Sequence, residues 1–399
     1  MKRACLTAIA VAAAGVIVSA GTAFADNAPG VTAAEIKIGQ TMAYSGPVSM
    51  LGDIGRAGLA YFQMINDQGG VNGRKITLIT LDDGYIPAKT VELTRKLVEE
   101  DGVAFLFNSL GGHTNNAVRP YLNAHHIPQI FAQYGTIRQA EAVKFPWTMN
   151  LQVSNQTEGR ILTKYILANV PAPKIAVLYQ HDALGQELLE GIRQVLGDKA
   201  DTLIVKTASY EVTDPSTDAQ VVELQASGAN VFLDLALGKA LAQAVRKSGS
   251  LGWRPLHLLF EGSGDPAILK ATAVDHGVGM ISGAAIKDPL DPQWRDDVGM
   301  KQYQAWVEKY YPRGKNSALG VAGYTAAQAM VLVLKQCGND LSRDNIMRQA
   351  GTLHDVTLPM LLPGITINTS QTERFPLKQL RLMRFNGERW VIISEPQSG

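Results

Sequence analysis

Three short stretches of this chain carry residue types that could hold a small molecule. Segment 108–114, NSLGGHT, follows an apolar run at 103–107 and precedes a helical pattern. Gly111 and Gly112 have no side chain to keep a ligand off the backbone. The N–H groups of a helix beginning near Thr114, including that of His113, would favour an anion, most naturally a carboxylate. A second loop of this kind, Gln133, Tyr134, Gly135 and Thr136, follows the apolar run 128–131. Glu261 stands just after the strand-like run 257–260. A carboxylate there suits a cation that a closing cleft strips of water. The same residues also serve ordinary strand-to-helix turns, and most Glu side chains are exposed. Taken alone, they leave ligand binding and plain turn chemistry both open.

Other constellations point away from catalysis and metals. A secreted α/β hydrolase using Ser45 or Ser109 would need a nucleophile elbow and a base, and neither is identifiable. The chain has no Walker loop and no G-x-G-x-x-G. Asp82 and Asp83 are adjacent strand residues whose side chains face opposite ways. His125 and His126 close a helix with no third ligand at metal spacing. No cofactor, no metal and no enzymatic set is expected.

The elements that must position these loops begin after an export-like leader. Lys2 and Arg3 precede an apolar run at 6–20, and Ala23 and Ala25 supply a small-x-small cleavage pattern, so cleavage is expected after Ala25. No later segment is expected to be long and apolar enough to span a bilayer. Removing 25 residues from 399 leaves 374, and basic residues fall from 37 to 35 against 36 acidic, a net charge of −1. That balance argues against nucleic acid as a partner. Only Cys337 then remains, so an internal disulfide is impossible.

Residues 26–34 read as a flexible lead. Strands at 35–42, 74–81, 103–107 and 128–131 alternate with helices at 56–68, 87–101 and 114–124. The rhythm restarts after Asn150, with strands at 174–179, 202–209, 231–235 and 257–260 separated by helices. Strands alternating with helices predict parallel sheets covered on both faces. Two helices at 293–311 and 320–335 and a shorter one from Arg343 follow. The tail, 364–368, 377–385 and 388–394, reads as strands with an Asn386-Gly387 turn. The economical arrangement is α/β, with two Rossmann-like lobes: 35–149 plus 286–360, and 150–285 plus 361–399. It needs three crossings, near 148–152, 283–288 and 358–366.

The segments YSGPVSMLG, NDQGGVNGRKITLITLDDGYIPAKTVELTRKLVEEDGV and GYTAAQAM resemble the type I periplasmic binding proteins of the branched-chain amino acid family. FPWTMN, ASYEVTDPSTDAQVVEL and LPMLLPGITINTS resemble one of its broad bacterial subgroups. The resemblance covers essentially the whole chain after the leader. It implies a periplasmic, monomeric receptor with a three-strand hinge, taking a small-molecule carboxylate and delivering it to an inner-membrane ABC permease. Gly112 takes the place of a Ser that binds the ligand carboxylate in amino-acid-binding relatives, and Glu261 that of a Glu holding the ligand ammonium. Leu51, Leu184, Leu237 and Leu319, with Tyr134, would form the pocket wall where leucine-specific relatives place aromatic residues. A wider apolar pocket follows, one that admits a hydrophobic amino acid or, alternatively, an aromatic carboxylic acid. A soluble ligand sensor is a further alternative.

Overall fold

The structure, a computed structural model, describes residues 27–133, 143–263 and 274–399. The leader and the loop residues Tyr134, Gly135 and Thr136 lie outside the described residues. The first sheet is wholly parallel, in the order β2-β1-β3-β4-β5. It comprises β1 (Glu35–Met42), β2 (Lys75–Asp82), β3 (Leu106–Phe107), β4 (Gln129–Ala132) and β5 (Thr148–Asn150). Helices α1 (Gly52–Asp67), α2 (Pro87–Arg95) and α3 (Gly112–Ala124) connect these strands. Two expectations shift here. Residues 148–150 form a fifth strand rather than a bare link, because Gln129 and Ala132 pair with Thr148 and Asn150. Helix α3 also begins at Gly112, two residues before Thr114, which places the glycine pair at the helix start itself.

The second sheet follows after α4 (Asn155–Asn169). Its first strands are β6 (Ile175–Gln180), β7 (Ile204–Tyr210), β8 (Val231–Leu235) and β9 (Leu256–Leu259). Helices α5 (Ala183–Leu196), α6 (Asp218–Ala226) and α7 (Gly238–Ser250) separate them. The strand β10 (Ile281–Ala284) pairs parallel to β9. Three helices then return to the first sheet: α8 (Val298–Tyr310), α9 (Ala318–Cys337) and α10 (Arg343–Ala350). Tyr61 of α1 meets Tyr324 of α9 edge-on at 4.9 Å, and Trp306 of α8 lies 4.8 Å from the same ring. Such aromatic contacts add to the burial that fixes these helices on α1.

The chain finally rejoins the second sheet through β11 (Gln379–Phe385), β12 (Trp390–Ile392) and β13 (Gln397–Ser398). The strand order is β12-β11-β10-β9-β8-β6-β7, with β11 antiparallel to β10. Residues 364–368 do not form the expected strand; a single bridge joins Ile367 to Val356. The β11–β12 hairpin closes at Phe385 and Trp390, so its loop is longer than a two-residue Asn-Gly turn. Side-chain Oδ1 of Asn386 accepts the Glu388 and Arg389 N–H groups and organises that loop.

The three crossings lie side by side. Leu362 N–H donates to Ala285 O and Lys287 N–H to Met360 O between the second and third, and Asn150 N–H of the first donates to Arg374 O, beyond the end of the third. The result is α/β, with two Rossmann-like lobes on a three-strand hinge. One expectation on spanning segments is overturned. Helix α9, 20 residues long, is apolar enough by composition to cross a bilayer. In this fold its apolar surface is mostly buried, against α1 and α10 among others, as befits a core helix. Cys337 ends that helix, buried, and burial pushes its thiol up to about 12.

Candidate functional site

At the C-terminal edge of the first sheet, a buried set of amides holds the two expected loops. Asn108 sits at φ 52°, a left-handed conformation that Asn tolerates. Its Nδ2 donates to Phe131 O at 2.8 Å and to Gln133 Oε1 at 3.2 Å, while Gln40 Nε2 donates to Asn108 O at 3.2 Å. Asn115, from the first turn of α3, donates to Ser109 O at 2.9 Å and accepts from Gln129 Nε2 at 2.8 Å. Buried amides retain stability only when paired in this way. Ser109 Oγ accepts the Thr41 N–H at 3.2 Å, a strand-locking role rather than a nucleophile's.

Gly111 caps α3 at φ 103°, and a Cβ there would run into Thr114 Oγ1 and the Tyr85 ring. Its N–H donates to Gln133 O at 2.8 Å, tying the two expected carboxylate loops together. The N–H groups of Gly112 and His113 belong to the first turn of α3, where a helix supplies no partner of its own. Gln133 also lines a cavity between the lobes.

That cavity joins residues from both lobes. The first lobe contributes Gln133 and the start of α9, with Ala318, Leu319, Ala322 and Thr325. The second contributes Glu261, Gly262, Leu377, Met383 and Trp390. The hinge segments 151–152 and 284–288 form its floor. Two of the expected polar contacts, Gln133 and Glu261, and one of the four leucines, Leu319, therefore share one largely apolar chamber.

Glu261 is held by its neighbours on the hinge side. Burial pushes its carboxyl up, and a hydrogen bond from the Ala285 N–H pulls the other way. Directly behind it stands Glu158, from the first turn of α4, buried. Oε1 of Glu158 accepts the Glu261 N–H at 2.5 Å. Burial, and then the charge of Glu261, push Glu158 well above the usual carboxylate range. Sequence reasoning missed Glu158 because a Glu in a first helical turn ordinarily just complements the helix dipole. No pattern in the chain marks it otherwise.

The remaining expected residues lie toward the cleft mouth or in the core. His113 lines a second cavity with Ser45, Tyr85 and Lys89 of one lobe and His181, Asp182 and Glu211 of the other. Its Nε2 lies 3.2 Å from Tyr85 O, and its Nδ1 lies 3.4 Å from Asp182 Oδ2. The second contact is an ion-pair approach between lobes, not an aligned hydrogen bond. Burial lowers the His113 pKa, but the Asp182 and Tyr85 oxygens and the Asp83 charge leave it above the ordinary value. Ser45 and His113 share this cavity, yet both ring nitrogens of the histidine face other groups.

Leu51 packs with Val48, Tyr85 and Leu110, and Val212 and Leu319 lie against this cluster. Val212 follows β7, so the cluster joins the lobes. Leu237, nearly buried, borders a third cavity beside Tyr210 and Val48. Leu184 is fully buried in the main core. His125 caps α3 with Nδ1 2.8 Å from Tyr121 O, His126 stacks on Trp147, and the described residues hold no cluster fit for a metal ion. Asp82 and Asp83 diverge as expected. Asp82 accepts the Tyr44, Ser45 and Gly84 N–H groups, whereas Asp83 accepts the Tyr85 N–H and the Thr90 hydroxyl.

Two hinged Rossmann-like lobes around a shared cavity define a bilobed binding protein. Comparison agrees: residues 35–389 match the model of the periplasmic binding protein family, and the chain belongs to that family. A Leu/Ile/Val-binding protein homolog 1 of Brucella suis is 25% identical over 345 residues, 83% of this chain and 84% of that protein. A branched-chain amino acid ABC transporter structure from Thermus thermophilus with bound valine superposes with a TM-score of 0.82 at 17% identity, covering 92% and 98% of the two chains. A fatty acid ABC transporter substrate-binding protein from Thermomonospora curvata gives 0.78 at 19% identity, covering 94% and 95%. These two structures share the fold with the present chain.

Proposed function

We propose that this chain is the extracytoplasmic substrate-binding protein of an ABC importer, cleaved after Ala25, and that it binds a hydrophobic amino acid between its lobes. The lobes comprise 35–149 plus 286–360 and 150–285 plus 361–399. The observation that carries this reading is the single cavity lined by Gln133 from one lobe and Glu261 from the other. The ligand carboxylate would meet the N–H groups at Gly112 and His113 and the loop Gln133, Gly135 and Thr136. Its ammonium would meet Glu261. Leu319 and its neighbours would receive the side chain. Contacts to both lobes give a ligand reason to favour closure, because only differential binding shifts an equilibrium. The closed form would then be the one that engages the permease. The valine-bound relative of the same fold and the Leu/Ile/Val-binding homologues support this reading.

A second reading, an ammonium-free carboxylic acid, draws on the raised pKa of Glu261. A protonated Glu261 would present a neutral wall to such a ligand. Thermal-shift measurements separate the two, since a ligand that binds only the folded state raises its apparent stability. Branched-chain and aromatic amino acids should stabilise the protein. Stabilisation by benzoate- or cinnamate-type acids alone would overturn the first reading.

A further inference from the structure

Glu158 is a buried acid with an unusual neighbour. Its Oε1 accepts the Glu261 N–H at 2.5 Å, and the same atom lies 3.4 Å from where a Cβ on Gly283 would stand. Glu158 thus packs against β10 at Gly283, where the tighter approach to that position is that of Leu380 Cδ1 at 2.8 Å. Two acids meet here at the hinge end of the cavity, one on its wall and one immediately behind. Among the described residues, no Lys, Arg or His forms an ion pair with either. Most charged groups on the surrounding elements are engaged elsewhere. Arg160 of α4 donates to Gln194 and Thr157, and Glu187 of α5 accepts from Asn155. Lys287 on the hinge pairs with Asp297 and Arg381 of β11 with Glu395, while Asp288 accepts the Leu290 N–H. His257 of β9 pairs with Asp234 of β8; Arg374, beyond the third crossing, feels the charge of Glu373 but forms no ion pair among the described residues, and its Nε and Nη1 are buried without a partner.

Two neighbouring carboxylates without a cation cannot both ionise at low cost. We infer that Glu158 and Glu261 share one proton in the empty site and exchange it for the ammonium of the ligand, which makes Glu158 the residue that couples ligand charge to proton release. The inference rests on the amino-acid reading given above. Glu158 acts through Glu261, so it is a positioning residue: it fixes the Glu261 backbone and sets the charge that the pair can carry. Both carboxyls being held above the ordinary range agrees with this. The balance is simple. The pair gives up one proton to solvent, the ammonium enters with its own charge, and no covalent bond is made or broken.

The experiment is calorimetric titration of the full mature chain with leucine and with phenylalanine, in buffers of different ionisation enthalpy, to count released protons. The wild type should release about one proton per ligand, and affinity should rise by up to about tenfold per pH unit on the acid side of neutrality. Glu158→Gln keeps an oxygen for the Glu261 N–H but cannot ionise. It should bind with a flat pH profile and release close to none. Binding without proton release in the wild type, or an unchanged slope in Glu158→Gln, overturns the inference and leaves the amino-acid reading intact. If neither amino acid nor any other binds, the amino-acid reading itself fails. A ligand-independent arm covers poor folding of the variant: carboxyl-carbon NMR of glutamate-labelled wild type should show one Glu pair titrating above the other residues. Two ordinary carboxyl titrations would overturn the shared proton.

Discussion

The two jaws of this cleft are built on the same strand–helix plan but stabilised in opposite ways. At the edge of the first sheet, Gln40, Asn108, Asn115, Gln129 and Gln133 are neutral amides that bond one another and the nearby backbone. At the edge of the second, Glu158 and Glu261 are two neighbouring acids whose partners, among the described residues, are backbone N–H groups. The first jaw is mostly paired, although Asn108 Oδ1 and Gln129 Oε1 are buried without a partner among the described residues; on the proposed reading the other becomes favourable only when a cation arrives. On the proposed reading, affinity on the first side would come from fixed geometry and selectivity on the second from a charge held in reserve.

Breaking the amide set should have the largest effect. Asn115→Leu would leave Gln129 Nε2 without its acceptor, while Ser109 O keeps the Gln133 N–H, and an orphaned buried group costs about 1–3 kcal/mol. Urea unfolding should show a loss of up to about 3 kcal/mol, with ligand binding lost in parallel. Next, Glu261→Gln removes the proposed ammonium partner. Calorimetry should register a drop of roughly 100-fold in amino-acid affinity, in the range found when one partner of a buried charge pair is truncated.

The acid pair allows a prediction of opposite sign. A carboxyl whose folded pKa lies above its unfolded value binds protons more tightly in the folded state, so it withdraws stability as pH rises above the ordinary carboxylate range. Glu158→Gln should therefore raise the stability of the ligand-free protein at neutral and alkaline pH, by about 1–3 kcal/mol, and change it least in acid. Equal melting temperatures for mutant and wild type at alkaline pH would remove the charge argument.

The smallest expected effect is at the cleft mouth. His113 has a raised pKa, so its attraction to Asp182 is complete below the ordinary histidine value and disappears as pH climbs past the folded one. The pair is partly exposed, at 26% and 14%, so its contribution should stay below about 1 kcal/mol. His113→Gln should weaken ligand binding a few-fold in mild acid and leave it unchanged well above neutrality.

Much of the first jaw was legible in the sequence. The glycine pair between an apolar strand and a helix was visible, and Gly111 holds a φ of 103° that favours glycine, a backbone demand separate from the expected approach of a ligand. The strand–helix alternation led to the right architecture for a similar reason, since period and turn residues are local. The short β5 was not legible, because its strand character depends on pairing with β4 rather than on its own pattern. Nor could the leucines be sorted. Leu184 and Leu319 look alike in sequence, but one is core and the other lines the cavity. Glu158 was least visible of all, since its role depends on a contact with Glu261, 103 residues further along the chain.

The central claim is that the second jaw recognises an ammonium group through Glu261. The most direct test compares an amino acid with its deaminated analogue, phenylalanine against 3-phenylpropanoate, by calorimetry on wild type and Glu261→Gln. The account predicts that phenylalanine binds the wild type far more tightly than the analogue does, and that the substitution removes most of this preference. Equal or tighter binding of 3-phenylpropanoate to the wild type, unaffected by Glu261→Gln, would contradict it.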